Sequence, residues 1–410
     1  MKTKVLIIGA GLTGLSAAYH LEQAGFYDYL LLEAAPTPGG LCKSTERQGF
    51  TFDKSGHLLH LRDPYALDFF RRLLPLHRLE RNAVVYTQGV QIPFPFQAHT
   101  HLLPQPARGV CQSGLKNPPA IKEPKTLQEW GLAAFGPGVY QYFLKPYNTK
   151  LWGADPACMT AEWCGAFIPP AQAKSGQKLG YNAHFYYPVK GGAEAVIRAL
   201  AARIKNLHTH TAVHTINWPL KTARTARGPV AFERVLSTAP LPDFLRLGGL
   251  GALAKPLTAA PICVLNVAVK HPFNRFHWAY FPDEDVPFYR VGVQSAFSPA
   301  NAPEGCASFY VELPGNTRPS PQEENRILSA LAQKGIIKKE AVLFTFWQYL
   351  PHAYALYDFA RTPAVQQAVR RLEGLGALLA GRYGLWEYSF MERGFLQGRQ
   401  AALDLLKDLA

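Results

Sequence analysis

The sequence predicts an α/β fold in which a dinucleotide-binding domain carries a second region of helices and antiparallel strands. The first observation is the order of strand, glycine-rich turn, helix and strand within residues 1–40. The second is a series of strand candidates between residues 262 and 313 with little helical pattern between them. The third is the length of 410 residues, which is too long for one ordinary core and favours two or three interleaved domains.

The N-terminal unit has every part that a βαβ dinucleotide site needs. Lys4–Ile8 is an apolar, β-branched run that indicates a buried strand. A G-x-G-x-x-G turn follows, then a helix over Leu15–Ala24 and a strand over Tyr29–Leu32 that ends on Glu33. Gly9, Gly11 and Gly14 would make the turn, admit a pyrophosphate and let the helix pack on the strand, in that order. Glu33 would accept hydrogen bonds from a ribose diol.

A second glycine pair just past the acid points to the identity of the dinucleotide. Gly39-Gly40 would let another backbone segment approach a pyrophosphate, and Leu41 continues that segment. Glu33 followed by this pair resembles the FAD fingerprint of amine oxidase and glutathione-reductase-like flavoproteins. The resemblance implies a glutathione-reductase-like Rossmann domain with FAD as its cofactor. The acid also disfavours a 2′-phosphorylated nucleotide, which it would repel.

Composition limits the remaining classes of function. The formal net charge of +14 attracts anions, but the basic residues are scattered and form no nucleic-acid-binding motif. A diphosphate ligand besides FAD and a generally basic surface explain the charge equally well. No apolar run reaches the roughly eighteen residues of a membrane span, and the glycines after Lys4 argue against a signal peptide. We therefore expect a cytoplasmic protein whose six cysteines, without a C-x-x-C pair, are free thiols.

The rest of the chain is expected to alternate between the two regions. The predicted elements are a strand broken at Gly56-His57, a hairpin over 84–93, a loop over 102–125, a helix over 126–143, a helix from Ala193, strands over 208–217, 232–238, 262–269, 278–281, 288–293, 308–313 and 340–348, and helices over 320–335, 364–380 and 395–409. His208 and His210 would share one strand face, but without a third ligand they do not predict a metal site. The expected dinucleotide-binding domain is discontinuous (1–95, 186–245 and 355–410), with a helical substrate region at 96–185 and an antiparallel-sheet region at 246–354.

Five segments together resemble one family, the FAD-dependent UDP-galactopyranose mutases. They are Ile92–Pro104 (IPFPFQAHTHLLP), Phe143–Gly153 (FLKPYNTKLWG), Asn182–Gly192 (NAHFYYPVKGG), Trp278–Arg290 (WAYFPDEDVPFYR) and Gly381–Tyr388 (GRYGLWEY). The resemblance implies ring contraction of a nucleotide sugar through reduced flavin, with no net redox change and with NAD(P)H as a candidate reductant.

The resemblance also implies roles for individual residues. The candidate catalytic set is Arg290 as diphosphate clamp, Tyr354 and Tyr388 as its hydrogen-bonding partners, and His57 against the flavin. Uracil would be held by Phe143, Asn148 and Trp152, with Gln97 and Asn182 nearby. The remaining cofactor contacts would come from Gly56, Val213 and Arg382. The tyrosines equally suit a core position with satisfied hydroxyls, whereas an inward-facing arginine needs an anion.

Several positions depart from the family pattern. The family's second diphosphate arginine has no counterpart in Gly165–Pro170, and the loop after Tyr388 is shorter and lacks an asparagine. Ser55 and Phe94 replace a glycine and a tyrosine. Substitute cations could come from Lys150, Lys174 or Lys178. Because one scaffold hosts several chemistries, two alternatives stay open: an FAD-dependent oxidoreductase of amine or protoporphyrinogen oxidase type, and a non-catalytic flavin-binding protein.

Overall fold

The computed structural model of the protein describes residues 1–171 and 183–409. Their strands are β1 (Lys2–Ile8), β2 (Tyr29–Leu32), β3 (Ser44–Arg47), β4 (Phe50–Asp53), β5 (Leu76–Glu80), β6 (Ala83–Thr87), β7 (Val90–Pro93), β8 (His184–Pro188), β9 (Leu207–His208), β10 (Val213–Asn217), β11 (Thr222–Thr225), β12 (Gly228–Ser237), β13 (Ala259–Val269), β14 (Trp278–Tyr280), β15 (Arg290–Val293), β16 (Ala307–Pro314), β17 (Val342–Ala355) and β18 (Ala377–Leu379).

The helices surround two sheets. They are α1 (Leu12–Gln23), α2 (Pro64–Leu73), α3 (Ala107–Lys116), α4 (Leu127–Val139), α5 (Lys145–Trp152), α6 (Cys164–Phe167), α7 (Glu194–Ala201), α8 (Leu241–Leu247), α9 (Gly251–Ala254), α10 (Gln294–Phe297), α11 (Pro321–Gln333), α12 (Arg361–Glu373), α13 (Gly381–Gly384) and α14 (Met391–Leu409). None of these described helices is long and apolar enough to cross a bilayer.

The first sheet has the strand order β10-β11-β12-β1-β2-β9, and β18 also pairs with β12. Strand β1 pairs in parallel with β2 and β12, so their carboxyl ends meet at one edge. Val5 and Ile7 pack toward α1 and α14, while Leu6 and Ile8 pack toward α8 and α12. Because helices cover both faces, β1 is apolar at successive positions, as the sequence shows.

The second sheet has the order β17-β13-β16-β15-β14-β6-β7, and all its pairs are antiparallel except β14 with β6. Its outer face packs on α11 through residues such as Phe309 and Val311. Its inner face, which includes Tyr310, packs toward α4 and α5. Thus the predicted mixed α/β architecture with an antiparallel insertion is confirmed. The exact domain ranges stay a prediction, since β6 and β7 join the second sheet although they fall within 1–95.

Three expected elements are wrong. The predicted loop at 102–125 contains α3, whose Gly114 lets it approach α4 so closely that a Cβ on Gly136 would lie 2.3 Å from the Gly114 carbonyl oxygen. Glycine here serves helix packing, which composition alone does not distinguish from a loop. The predicted strand at 208–217 is split between β9 and β10 at opposite edges of the first sheet. The predicted helix at 364–380 ends at Glu373, and β18 follows.

Candidate active site

One cleft of about 600 Å³ runs from the carboxyl edge of the first sheet to the inner face of the second. Its wall includes all predicted cofactor residues except Gly14: Gly9, Gly11, Glu33, Gly39, Gly40, Leu41, Gly56, His57, Val213 and Arg382. It also includes Gln97, Phe143, Asn148, Arg290, Tyr354 and Tyr388 from the predicted catalytic and substrate sets. Trp152 is not part of the wall, and Asn182 lies outside the described residues. The fold therefore brings both predicted groups into one space.

The glycine turn has the shape of a phosphate cradle. Gly9 has φ +97°, and a Cβ on Gly14 would lie 2.0 Å from the Gly9 carbonyl oxygen, so only glycine allows α1 to pack this closely. By contrast, a Cβ on Gly11 would meet nothing within 4 Å, because that position opens into the cleft. No side chain caps the N-terminus of α1. An uncapped helix start beside open space suits a pyrophosphate.

Glu33 and the second glycine pair complete this cradle. The Glu33 carboxylate accepts hydrogen bonds from the backbone amides of Ala10 and Ala35, both at 2.9 Å, and keeps acceptor capacity for a ribose. The Gly39 amide donates to the Ala10 carbonyl at 2.9 Å, and a Cβ on Gly40 would lie 3.7 Å from the Gly11 Cα. These residues fit FAD, which would rest between the two glycine segments.

The turn that carries His57 joins the cradle to the second sheet. Ser55 has φ +68°, a conformation that favours the glycine it replaces. Its hydroxyl accepts the Gly56 amide at 2.6 Å and donates to the buried Glu312 carboxylate of β16. Burial, aided by the positive charge of Arg382, lowers the pKa of His57 to about 4. The imidazole is therefore neutral at pH 7, and its Nδ1 makes no hydrogen bond within the described chain.

Arg290 lies in the inner wall and is already paired. Its guanidinium donates to the Glu312 carboxylate at 2.7 Å and to the Tyr354 hydroxyl at 3.4 Å. Burial opposes this charge, but the Glu312 carboxylate raises the pKa of Arg290 above its ordinary value. Arg382 donates to the backbone carbonyls of Ser389, at 2.8 Å, and Ala353, and its guanidinium lies 4.9 Å from the ring centre of Tyr354. Both arginines thus hold the tyrosine that was predicted to contact substrate.

The predicted uracil residues are engaged mainly with one another. Phe143 is stacked on Phe96 and on Tyr147, with ring centres 5.1 and 5.5 Å apart. Asn148 donates to the Leu144 carbonyl at 2.7 Å and accepts the Trp152 indole N–H at 3.1 Å. These contacts leave one donor and one acceptor position of the Asn148 amide for a ligand. This wall therefore combines helix packing with a limited capacity to bind.

Gln97 and Phe167 occupy the adjoining part of the wall. The Gln97 amide donates to the Pro169 carbonyl, while its Oε1 is buried without a partner among the described residues. Phe167 lies in Gly165–Pro170, the segment in which the resemblance implies a second arginine, and its ring centre is 4.2 Å from that of Tyr388. An aromatic contact thus replaces a cation at this position.

Three lysines were predicted to substitute for the missing second arginine, and one of them lies among the described residues. Lys150 was a candidate, but it is half-buried outside the cleft wall, where its ammonium donates to four backbone carbonyls, including those of Val286 at 3.0 Å and Phe288 at 3.3 Å. It ties α5 to the loop before β15 instead of reaching a ligand. Lys174 and Lys178 lie outside the described residues. A cation that the sequence analysis missed, Lys54, does line the cleft.

The sequence analysis also missed Tyr310, which lines the cleft, and Glu312, which contacts Arg290 of the cleft wall. Tyr310 and Glu312 lie opposite Gly292 and Arg290 in the β15–β16 register, so all four side-chain positions share the inner face. The Tyr310 ring occupies space that a Cβ on Gly56 or Gly292 would need. Strand alternation would have placed Tyr310 and Glu312 on one face, but no sequence signal shows which residues oppose them. This register explains why Arg290 meets a carboxylate.

The described residues do not support a metal site. His210 has φ +50° and so does not extend a strand face with His208, contrary to the prediction. Within residues 1–171 and 183–409, no group of three His, Cys, Asp or Glu side chains could hold a metal ion. The six cysteines are free thiols.

Comparisons with known proteins place this site in a family context. A reduced UDP-galactopyranose mutase has a TM-score of 0.92 at 26% identity, and the match covers 100% of this chain and 95% of that one. A putative protoporphyrinogen oxidase from Exiguobacterium sp. and the cyclohexylamine oxidase from Brevibacterium oxydans have TM-scores of 0.77 and 0.76. Each is 17% identical with 99% of both chains covered, which shows a shared fold.

Sequence comparison adds one relative and one family. A probable UDP-galactopyranose mutase from Klebsiella pneumoniae is 23% identical over 167 residues, which are 38% of this chain and 43% of that protein. The matched region therefore spans less than half of that relative. A family model described as flavin containing amine oxidoreductase matches residues 12–406. Because this match includes nearly the whole chain, the protein belongs to the flavin-containing amine oxidoreductase family and is an FAD-dependent enzyme of that family.

Proposed function

We propose that the protein is a mutase that interconverts the pyranose and furanose forms of a nucleotide sugar, with a UDP-sugar as substrate. The observation that carries this proposal is the single cleft that joins the cradle at Gly11 to Arg290 and Tyr354. The similarity to a reduced UDP-galactopyranose mutase over the whole chain supports the same function.

The residues of the chain would bind and orient the sugar nucleotide. Arg290 has a buried Nε without a partner among the described residues, so it can donate to a diphosphate oxygen while NH2 stays with Glu312. The Tyr354 hydroxyl accepts from Arg290 and keeps its own proton to donate to the ligand. When bound in its reduced form, FAD supplies the nucleophile for ring opening and closure. The His57 imidazole, which is neutral at pH 7, would lie against the flavin and add no charge beside it.

The test is turnover under controlled redox conditions. FAD-loaded protein is reduced anaerobically with dithionite and incubated with UDP-galactopyranose, and the furanose form is measured by chromatography. We expect turnover only in the reduced protein. Arg290→Ala should lower kcat/KM by roughly a hundredfold, since one or two charge-assisted hydrogen bonds of about 1.5–3 kcal/mol each are lost. Arg275→Ala, an exposed arginine outside the cleft wall, is the matched control.

A second candidate is an oxidase that passes hydride from a substrate to flavin and then to oxygen. The observation that favours it is the aromatic wall where Phe167 meets Tyr388 in place of a second cation. An apolar wall suits a neutral or weakly charged substrate better than a diphosphate. Stoichiometric hydrogen peroxide from the oxidised protein with amines or a porphyrinogen, together with no sugar turnover in the reduced protein, would select this function over the mutase.

A further inference from the structure

Glu312 is a buried carboxylate that contacts Arg290 of the cleft wall, and neither candidate reaction has a use for it. Its side chain is 0% exposed, and Oε1 accepts hydrogen bonds from Arg290 and from the Ser55 hydroxyl. Oε2 makes no hydrogen bond to any described residue. A carboxylate so deeply buried needs a positive partner, and Arg290 is the cation at 2.7 Å.

The backbone holds this ion pair in place before any ligand arrives. Arg290 in β15 lies directly opposite Glu312 in β16, and both project from the inner face of the second sheet. The Ser55 hydroxyl donates to the same carboxylate oxygen, Oε1. Arg290 is therefore held with its charge balanced, while its side chain remains 19% exposed to the cleft.

We propose that Glu312 is the internal counter-ion of Arg290 and a specificity-determining residue that disfavours highly charged phosphates. The inference rests on the proposed function in one respect, namely that Arg290 is the anion contact. An incoming phosphate must share the guanidinium with Glu312 and also approaches a buried negative charge. A terminal phosphate carries about 1.5–2 negative charges at pH 7, whereas a phosphate esterified to a sugar carries about one. The pair thus favours the sugar diphosphate over the free nucleoside diphosphate.

The experiment compares UDP, UDP-galactose and inorganic pyrophosphate by calorimetry on FAD-loaded wild type and Glu312→Gln. The amide keeps an acceptor for Arg290 but removes the negative charge. We expect UDP and pyrophosphate to bind roughly ten- to a hundredfold more tightly to the variant and UDP-galactose only about threefold more tightly, so the selectivity falls. Unchanged or weaker binding of UDP and pyrophosphate in Glu312→Gln would overturn the inference.

A matched control separates charge from general destabilisation. Asp53 is also 0% exposed and, like Glu312, is not itself part of the cleft wall, but it accepts hydrogen bonds from Ser44 at 2.6 Å and Tyr187 at 2.7 Å instead of from an arginine that lines the cleft. Asp53→Asn should lower the melting temperature without tightening the binding of UDP or of pyrophosphate. A gain of anion affinity in Asp53→Asn equal to that in Glu312→Gln would contradict the specific role.

The remaining outcomes also distinguish the two proposals. If neither protein binds UDP or UDP-galactose but Glu312→Gln gains affinity for pyrophosphate, the mutase proposal fails and the counter-ion role stands. If pyrophosphate affinity does not rise, the counter-ion role fails as well. Should Glu312→Gln not retain FAD, Ser55→Gly decides, because φ +68° suits glycine. Loss of the hydroxyl leaves Oε1 to Arg290 alone, so pyrophosphate should bind about threefold more weakly; equal or tighter binding would overturn the inference.

Discussion

Two neighbouring glycines of the first turn should respond to the same substitution in opposite ways. At Gly11 the backbone is extended, with φ −74° and ψ −178°, and a side chain would enter open space in the cleft. Gly11→Val should therefore change the unfolding free energy of the FAD-free protein by no more than about 0.5 kcal/mol. The valine would occupy the pyrophosphate position, and loss of two charge-assisted hydrogen bonds of about 1.5–3 kcal/mol each would weaken FAD binding by roughly 10²–10⁴-fold.

At Gly14 the added side chain would meet backbone instead of open space. A Cβ there overlaps the Gly9 carbonyl oxygen at 2.0 Å, so Gly14→Val should destabilise the protein by at least about 3 kcal/mol. The assays are the flavin absorbance of the purified protein, FAD titration and urea unfolding without FAD. Gly251→Val is the control, since a Cβ there also meets nothing within 4 Å and lies outside the cleft wall. A normal flavin spectrum and FAD affinity in Gly11→Val would refute the assignment of the cradle.

Three further predictions concern the rest of the cleft and its support. Phe167→Arg should tighten UDP binding roughly ten- to a hundredfold, because it places a cation beside Tyr388, and calorimetry measures this change. Unchanged UDP affinity in this variant would indicate that the cleft binds a ligand other than a nucleoside diphosphate. The pKa of His57 is about 4 in the native state and about 6.5 when unfolded, so the unfolded chain binds the extra proton between these values. His57 should thus contribute up to about 3 kcal/mol to the fall of the unfolding free energy without FAD from pH 6.5 to pH 4. His60 and His277, whose pKa values burial also lowers to about 4, add to that fall, and His57→Gln should remove only the first contribution. Lys150→Met leaves four partly buried carbonyls without their ammonium donor and should cost about 2–4 kcal/mol by urea unfolding, whereas Lys150→Arg should cost less.

The cofactor half of the cleft was predictable from sequence because its geometry is local. Strand, turn and helix follow one another within 25 residues, and Gly14 packs against Gly9 of the same turn. Strand β2 has the predicted bounds, and Glu33 meets Ala10 because β1 and β2 are adjacent parallel strands. The helix bounds were less accurate: α1 begins at Leu12 instead of Leu15, since glycine is compatible with a first helical turn when it faces a close neighbour.

The substrate half depends on contacts between distant segments, which residue patterns do not specify. An aromatic at Phe143 was predicted to face a base, yet its stacking on Phe96 follows from how α4 and α5 approach the β7 hairpin. Lys150 has the composition of a ligand-binding cation, but the loop before β15 supplies carbonyls that bind it. For both Phe143 and Lys150, contact with a segment distant in the sequence determines what the side chain binds. A family resemblance can suggest such positions, because it carries tertiary information that periodicity lacks.

Ser55 shows how a departure from a family pattern can be stabilised by its surroundings. A non-glycine residue at φ +68° costs about 1 kcal/mol or more, and a serine gains nothing at such a position by itself. Here the hydroxyl accepts the Gly56 amide and donates to Glu312, and hydrogen bonds to a charged group contribute about 1.5–3 kcal/mol. The bond to Glu312 is the stronger of these two contributions, so loss of the carboxylate would leave less of the strain offset. A serine in the cofactor turn thus stabilises a carboxylate beside the anion-binding arginine, and this hydrogen bond couples the two halves of the cleft energetically.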